Sequence, residues 1–237
     1  MLIQNRKARS NDPNILLLYG PPKIGKTTML SQLKDCLIVD TERGSQMIGG
    51  DIAEIDSYES LKELIGEIRS NPEVKFKYIA IDTIDNVIMW IERFIVEDHN
   101  NENSSKIKTF ADLSYGVGYT LRQDGVMRVL ETFSRITERL ILIGHRKIAT
   151  QADNGLVDPA SLDITGKLRN QIFSKCDAIG LVYRDEDQNL MVSFKPNDTV
   201  EAGSRCDHLK GKVVPFEWPE IYTELKITNK KEMKNAA

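Results

Sequence analysis

The run Gly20-Pro21-Pro22-Lys23-Ile24-Gly25-Lys26-Thr27 has the spacing G-x-x-x-x-G-K-[ST] of a phosphate-binding loop. A tight loop at a helix N-terminus turns backbone N–H groups inward, where they cradle a phosphate. Gly20 and Gly25 allow the backbone conformations and the close approach. Pro21 and Pro22 have no N–H to offer, so the cradle falls to Lys23, Ile24, Gly25, Lys26, Thr27 and Thr28. Lys26 is a point charge for the β- and γ-phosphates, and the Thr27 hydroxyl is a ligand for Mg²⁺.

Three further positions carry matching chemistry. Asp82 closes the apolar run Tyr78-Ile79-Ala80-Ile81, the Walker B arrangement, in which an aspartate holds Mg²⁺ through water. The other reading is a cap for the following helix, a role open also to Asp85. Hydrolysis needs a carboxylate to position the attacking water. Thr83, not a glutamate, follows Asp82, so the base must stand elsewhere. Glu42 is the first candidate and Asp40 the second, both at the end of Leu37-Ile38-Val39. His145 follows the apolar run Leu140–Gly144, where a polar side chain can sense the γ-phosphate or the attacking water. No D-x-x-G follows Asp82, and the only N-K-x-[DE]-like string, Asn229-Lys230-Lys231-Glu232, follows no strand. ATP is therefore expected over GTP.

These residues need a frame that brings strand ends together. Apolar runs at Ile15–Tyr19, Leu37–Val39, Tyr78–Ile81, Leu140–Gly144 and Ala178–Tyr183 read as buried parallel strands. Helices are expected at Thr28–Leu33, from Ser57 with Leu61, Leu64, Ile65 and Ile68 on one face, along Ile84–Ile95, and along Val126–Ile136. Asp98 to Lys108 reads as a polar loop. Asp185–Asn189 reads as a hairpin turn, with Leu190–Phe194 returning antiparallel. The expected fold is α/β: one doubly wound, mainly parallel sheet with an antiparallel edge, binding its ligand at the carboxyl ends of the strands. Residues 1–13 read as an N-terminal extension, 14–225 as the domain and 226–237 as a basic tail.

Composition narrows the class. The 237 residues are 41% hydrophobic and 28% charged, enough for a real core. A net charge of −3 gives no global basic field for nucleic acid, though local loops can still be basic. Cys36, Cys176 and Cys206 are far apart and have no metal-binding spacing. No apolar run reaches the roughly 18 residues of a membrane span, and Met1–Lys7 lacks the apolar stretch of a signal peptide. The expectation is a soluble cytoplasmic protein.

Together these motifs resemble the RecA-type recombinase ATPases over about residues 14–200. The resemblance assigns the catalytic glutamate to Glu42 within Asp40-Thr41-Glu42, and the Walker B pair to Asp82-Thr83. It assigns the sensor to His145, where the family usually has Gln. A narrower resemblance is to short phage-encoded RecA-like ATPases of single-strand annealing. It rests on Tyr115-Gly116-Val117-Gly118-Tyr119, Gly144-His145 and Ala202-Gly203-Ser204-Arg205. It implies host cytoplasm as the setting. The family also implies a homo-oligomer whose site is completed by a neighbour's cation, here Lys195 or Arg205. It implies single-stranded DNA contact by the loop after the sensor strand, with Arg146, Lys147, Lys167 and Arg169 as candidates. A single-strand-binding protein is a possible partner. Two rivals stay open: a P-loop kinase for nucleotides or small molecules, and a nucleotide-gated assembly module with little hydrolysis.

Overall fold

The computed structural model describes residues 10–71, 73–151, 157–158, 160–164 and 166–226. Residues 1–9 of the expected extension, 227–237 of the expected tail and part of the expected DNA loop lie outside these.

Along the chain run β1 (Ile15–Gly20), α1 (Lys26–Leu30), β2 (Cys36–Asp40), β3 (Asp51–Glu54), α2 (Tyr58–Ser70), β4 (Tyr78–Asp82), α3 (Ile84–Glu102), α4 (Val117–Ile136) and β5 (Arg139–Lys147). Then come β6 (Thr150–Gln151), β7 (Val157–Asp158), β8 (Ser161–Leu162), α5 (Lys167–Lys175), β9 (Ala178–Arg184), β10 (Leu190–Ser193), β11 (Gly203–Ser204), β12 (Val213–Pro215) and α6 (Trp218–Ile221). The main sheet has the order β12-β10-β9-β1-β5-β4-β2-β3. From β9 to β3 every neighbouring pair is parallel. β10 and β12 form the antiparallel edge. The α/β architecture with a mainly parallel sheet and an antiparallel hairpin is thus the one expected.

The central strands are apolar at every position because both faces are covered. On one face Leu17, Tyr19, Ile81 and Leu142 pack against α2, α3, α4 and α5. On the other Leu16, Leu18, Ile141 and Ile143 pack against Leu30 of α1, Trp218 and Ile221 of α6, and Phe216 just after β12. Ser57 caps α2 by accepting the Ser60 N–H at 3.2 Å, while the Ser60 hydroxyl meets the Ser57 N–H at 3.1 Å. Asp12 is buried and accepts the Thr223 N–H at 3.0 Å and hydroxyl at 2.8 Å, tying the segment before β1 to the segment after α6.

Several elements differ from their expected bounds. The helix after the phosphate loop starts at Lys26 and stops at Leu30; beyond it the Gln32 and Leu33 N–H groups take tighter, three-residue bonds to Met29 and Leu30. β3 is a short half-polar edge strand, with too few apolar residues to signal itself. Asp98–Glu102 completes α3 instead of opening a loop. α4 begins at Val117, nine residues before the expected apolar stripe. The tyrosines flanking its start are surface residues: Tyr115 is fully exposed, and Tyr119 packs edge-on against Phe110. β5 runs to Lys147, so His145 lies inside the strand. Among the described residues no helix is long and apolar enough to cross a membrane.

Candidate active site

The parallel register brings the chemistry to one edge. Asp40 pairs with Asp82, and Asp82 with Ile143; two residues further along β5, His145 is level with Gly20. The residues following β1, β2 and β4 therefore open onto one rim, and β5 extends above it.

The loop from Gly20 to Gly25 bends through left-handed conformations at Lys23 (φ 59°) and Gly25 (φ 111°). Gly20 also sits tight on β9, where a Cβ would come within 2.7 Å of the Val182 carbonyl oxygen. Pro22, Lys23 and Thr28 are exposed, and Pro21, Ile24 and Gly25 half-buried, around the buried Lys26. The Lys26 ammonium donates to the carbonyls of Gly20 (3.1 Å) and Pro21 (2.8 Å). Burial pushes its pKa down, opposed by the carboxylates of Asp82, Glu42 and Asp85.

Thr27 donates its hydroxyl to Asp82 Oδ2 at 2.6 Å. Burial pushes the Asp82 carboxyl up; the Thr27 bond and Lys26 pull it down, while Glu42 and Asp40 push further up. A buried carboxylate beside a hydroxyl, with like charges near it, suits a small divalent cation. Two hard oxygen donors fit Mg²⁺, which keeps several waters in its shell. No three His, Cys, Asp or Glu side chains gather as a metal cage among the described residues.

Asp40 does not resemble a free base. Its oxygens accept the backbone N–H groups of Glu42 (2.9 Å), Gly44 (3.3 Å) and Ser45 (2.8 Å). Burial raises its pKa, and the bonds from Ser45, Glu42 and Gly44 outweigh that, so the carboxyl lies below its usual range. Asp40 thus shapes the turn that presents Glu42. Thr41 ties that turn to the end of β4: its hydroxyl accepts the Thr83 N–H at 2.7 Å, and Asn86 donates to its carbonyl at 3.1 Å. The Asp82–Thr83 peptide is cis. Glu42 keeps a partly exposed carboxylate, accepting one bond, from the Thr83 hydroxyl at 3.2 Å.

His145 places Nε2 3.7 Å from Glu42 Oε1 and Nδ1 3.4 Å from Asp85 Oδ2. Its backbone N–H donates to the same Asp85 oxygen at 3.1 Å. The Asp85 bond raises the His145 pKa, burial lowers it, and the charges of Asp85 and Glu42 raise it against Lys26. Sequence reasoning gave Asp85 only a possible capping role. Its position, three residues past the Walker B aspartate in the first turn of α3, is the signal that places it on this rim.

The other predicted residues lie farther out. Lys195 is exposed; β10 runs antiparallel with Ser193 opposite Leu181, so Lys195 heads away from the rim. Arg205 is at the amino end of β9, donating to the Ser174 carbonyl at 2.7 Å and pairing with Asp177 at 3.4 Å. Neither joins the site of its own chain. Arg146 and Lys147 belong to the extension of β5, opposite Leu162 and Ser161 of β8. Lys167 is exposed at the start of α5, and Arg169 pairs with Glu201 at 3.3 Å.

Residues 12–206 match a family model described as "AAA domain". No curated protein matches the chain. Among solved structures, one described as the crystal structure of the RadB recombinase is similar with a TM-score of 0.48. It is 12% identical, over 88% of this chain and 89% of that one.

Proposed function

The chain belongs to the AAA-domain family, and from that premise we propose that it is a Mg²⁺-dependent ATPase that acts on single-stranded DNA in recombination or annealing. The observation that carries the reading is the convergence of Lys26, the Thr27–Asp82 pair and Glu42 on one sheet rim. Lys26 and the N–H groups from Lys23 to Thr28 hold the phosphates and offset their charge. Thr27 and Asp82 would hold Mg²⁺, which would supply positive charge to offset that developing on the phosphates. Glu42 orients water and takes its proton, kept in place by the Asp40 turn and the Thr83 hydroxyl. His145, beside Glu42, answers to the state of the γ-phosphate.

Single-stranded DNA rests on the resemblance, with Arg146 and Lys147 at the end of β5 and Lys167 at the start of α5 as the candidate contacts. Arg169 contributes less, since Glu201 offsets its charge. A homo-oligomer would bring a neighbour's Lys195 or Arg205 to the site.

The test is phosphate release from ATP with and without single-stranded DNA, with Lys26→Ala as the control. The expected result is Mg²⁺-dependent release that DNA stimulates and that Lys26→Ala abolishes. Phosphoryl transfer to a nucleoside or small acid in place of release would make the chain a kinase. Release with no DNA affinity would remove the DNA half of the reading.

A further inference from the structure

We propose that Asp85 is a positioning residue for this site: one carboxylate oxygen clamps His145 by both backbone and ring, so that Nε2 faces Glu42. The proposal rests on the ATPase reading for its role in turnover and on geometry alone for the clamp. Asp85 Oδ2 accepts the His145 N–H at 3.1 Å and lies 3.4 Å from ring Nδ1. Held at both points, the ring cannot turn over without exchanging Nδ1–H for a carbon against the carboxylate. Nδ1 then carries the proton, and Nε2 is left to face Glu42 Oε1 at 3.7 Å.

The surroundings fit this role. Asp85 lies in the first turn of α3, where the helix dipole favours a negative charge. At Gly144 a Cβ would stand at ordinary contact, 3.5 Å, from Asp85 Oδ2 but 2.1 Å from Leu162 Cδ1, so the glycine makes room for β8 beside the clamp. The charged groups bearing on the ring are Asp85, Glu42 and Lys26. Asp85 makes no hydrogen bond or ion pair with Thr27 or the phosphate loop among the described residues, but its charge also bears on Lys26. Asp85→Asn removes that charge while keeping an oxygen for His145, which separates the two effects.

The experiment uses the full chain labelled with ¹⁵N-histidine, and long-range ¹H–¹⁵N spectra at pH values above the histidine titration. His145→Gln assigns the His145 signals against those of His99 and His208. Wild type is expected to show His145 protonated at Nδ1. Asp85→Ala should shift it to the Nε2-protonated form that free imidazole prefers. In turnover, Asp85→Ala should lower kcat about 10-fold with KM for ATP within about twofold, as misorientation without lost binding requires. Asp85→Asn keeps the shape and an acceptor oxygen, so it should restore most of kcat and the Nδ1 form. An unchanged His145 tautomer in Asp85→Ala would overturn the clamp. An unchanged kcat, or a loss in KM alone, would overturn the role in turnover. If the wild-type chain releases no phosphate from ATP, the ATPase reading fails, while the spectra still decide whether Asp85 holds the ring.

Discussion

Asp40 and Glu42 stand two residues apart and differ in what their carboxylates meet. Asp40 is saturated by three backbone N–H groups; Glu42 accepts one hydroxyl and stays open to solvent. Only the second can take a proton from water without dismantling its own turn. Glu42→Gln should therefore lower ATP turnover by about 10²–10⁴-fold, the range of a positioned general base. ATP affinity, read by titration calorimetry, should stay within a few-fold. A nucleotide-gated module would show little change in turnover. His145 supplies a pH signature. Its folded pKa is raised above the ordinary 6.5, first by the Asp85 bond, with burial and Lys26 opposing. The stability it contributes when charged is complete below the unfolded pKa of about 6.5 and is lost as pH rises through the folded value. The urea midpoint of wild type minus that of His145→Gln should accordingly shrink as pH is raised through that window. A difference that grew with pH would place the ring in another environment. At this scale local spacing singled out Lys26, Thr27 and Asp82, and strand-end position singled out Glu42; the parallel register places them on one rim. The contact of Asp85 with His145 was not legible, because it depends on Asp82 lying opposite Ile143, a register no linear pattern contains.

Elements explain why these residues meet. Five apolar runs become the parallel strands expected of them, and their ends make the rim. What was not legible is where polar continuations keep a regular backbone. β3 is held by β2 on one side only, so it needs few apolar residues. The last turn of α3 and the first turns of α4 project past the core and carry no stripe. β5 continues because β8 pairs with Arg146 and Lys147. That pairing depends on Gly144: a methyl group there would lie 2.1 Å from the buried Leu162 side chain. Gly144→Ala should force β8 off β5 and cost about 1–3 kcal/mol, the usual penalty of overpacking. Denaturant unfolding would measure the loss, and turnover should fall with it because Asp85 and His145 flank the same glycine. Unchanged stability would mean that Leu162 moves aside freely.

At the scale of the whole molecule, the sheet divides the interior into two cores, and each holds one of the two tryptophans. Trp90 lies in α3 among the helices on one face, and Trp218 lies on the other against the short helix that begins at Lys26. The Trp218 indole N–H donates to the Met29 carbonyl at 2.6 Å, near the end of that helix. Tyr19, one residue before the phosphate loop, points to the opposite face and donates to the Glu201 carbonyl at 2.6 Å, with the Ala160 carbonyl 3.2 Å away. The strand and helix that flank the loop are thus braced from opposite faces of the sheet, and one brace is an indole, which can be excited apart from the tyrosines. Adding Mg²⁺ and ATP should change the emission of Trp218, because the indole bond reports the electron density and tilt of the carbonyl it holds. Trp90→Phe should keep that change and Trp218→Phe should erase it; the reverse pattern would mean the signal arises from α3. With that change, the fold would contain an intrinsic optical gauge of the phosphate loop, readable in stopped-flow without a label, that would time nucleotide arrival separately from phosphate release.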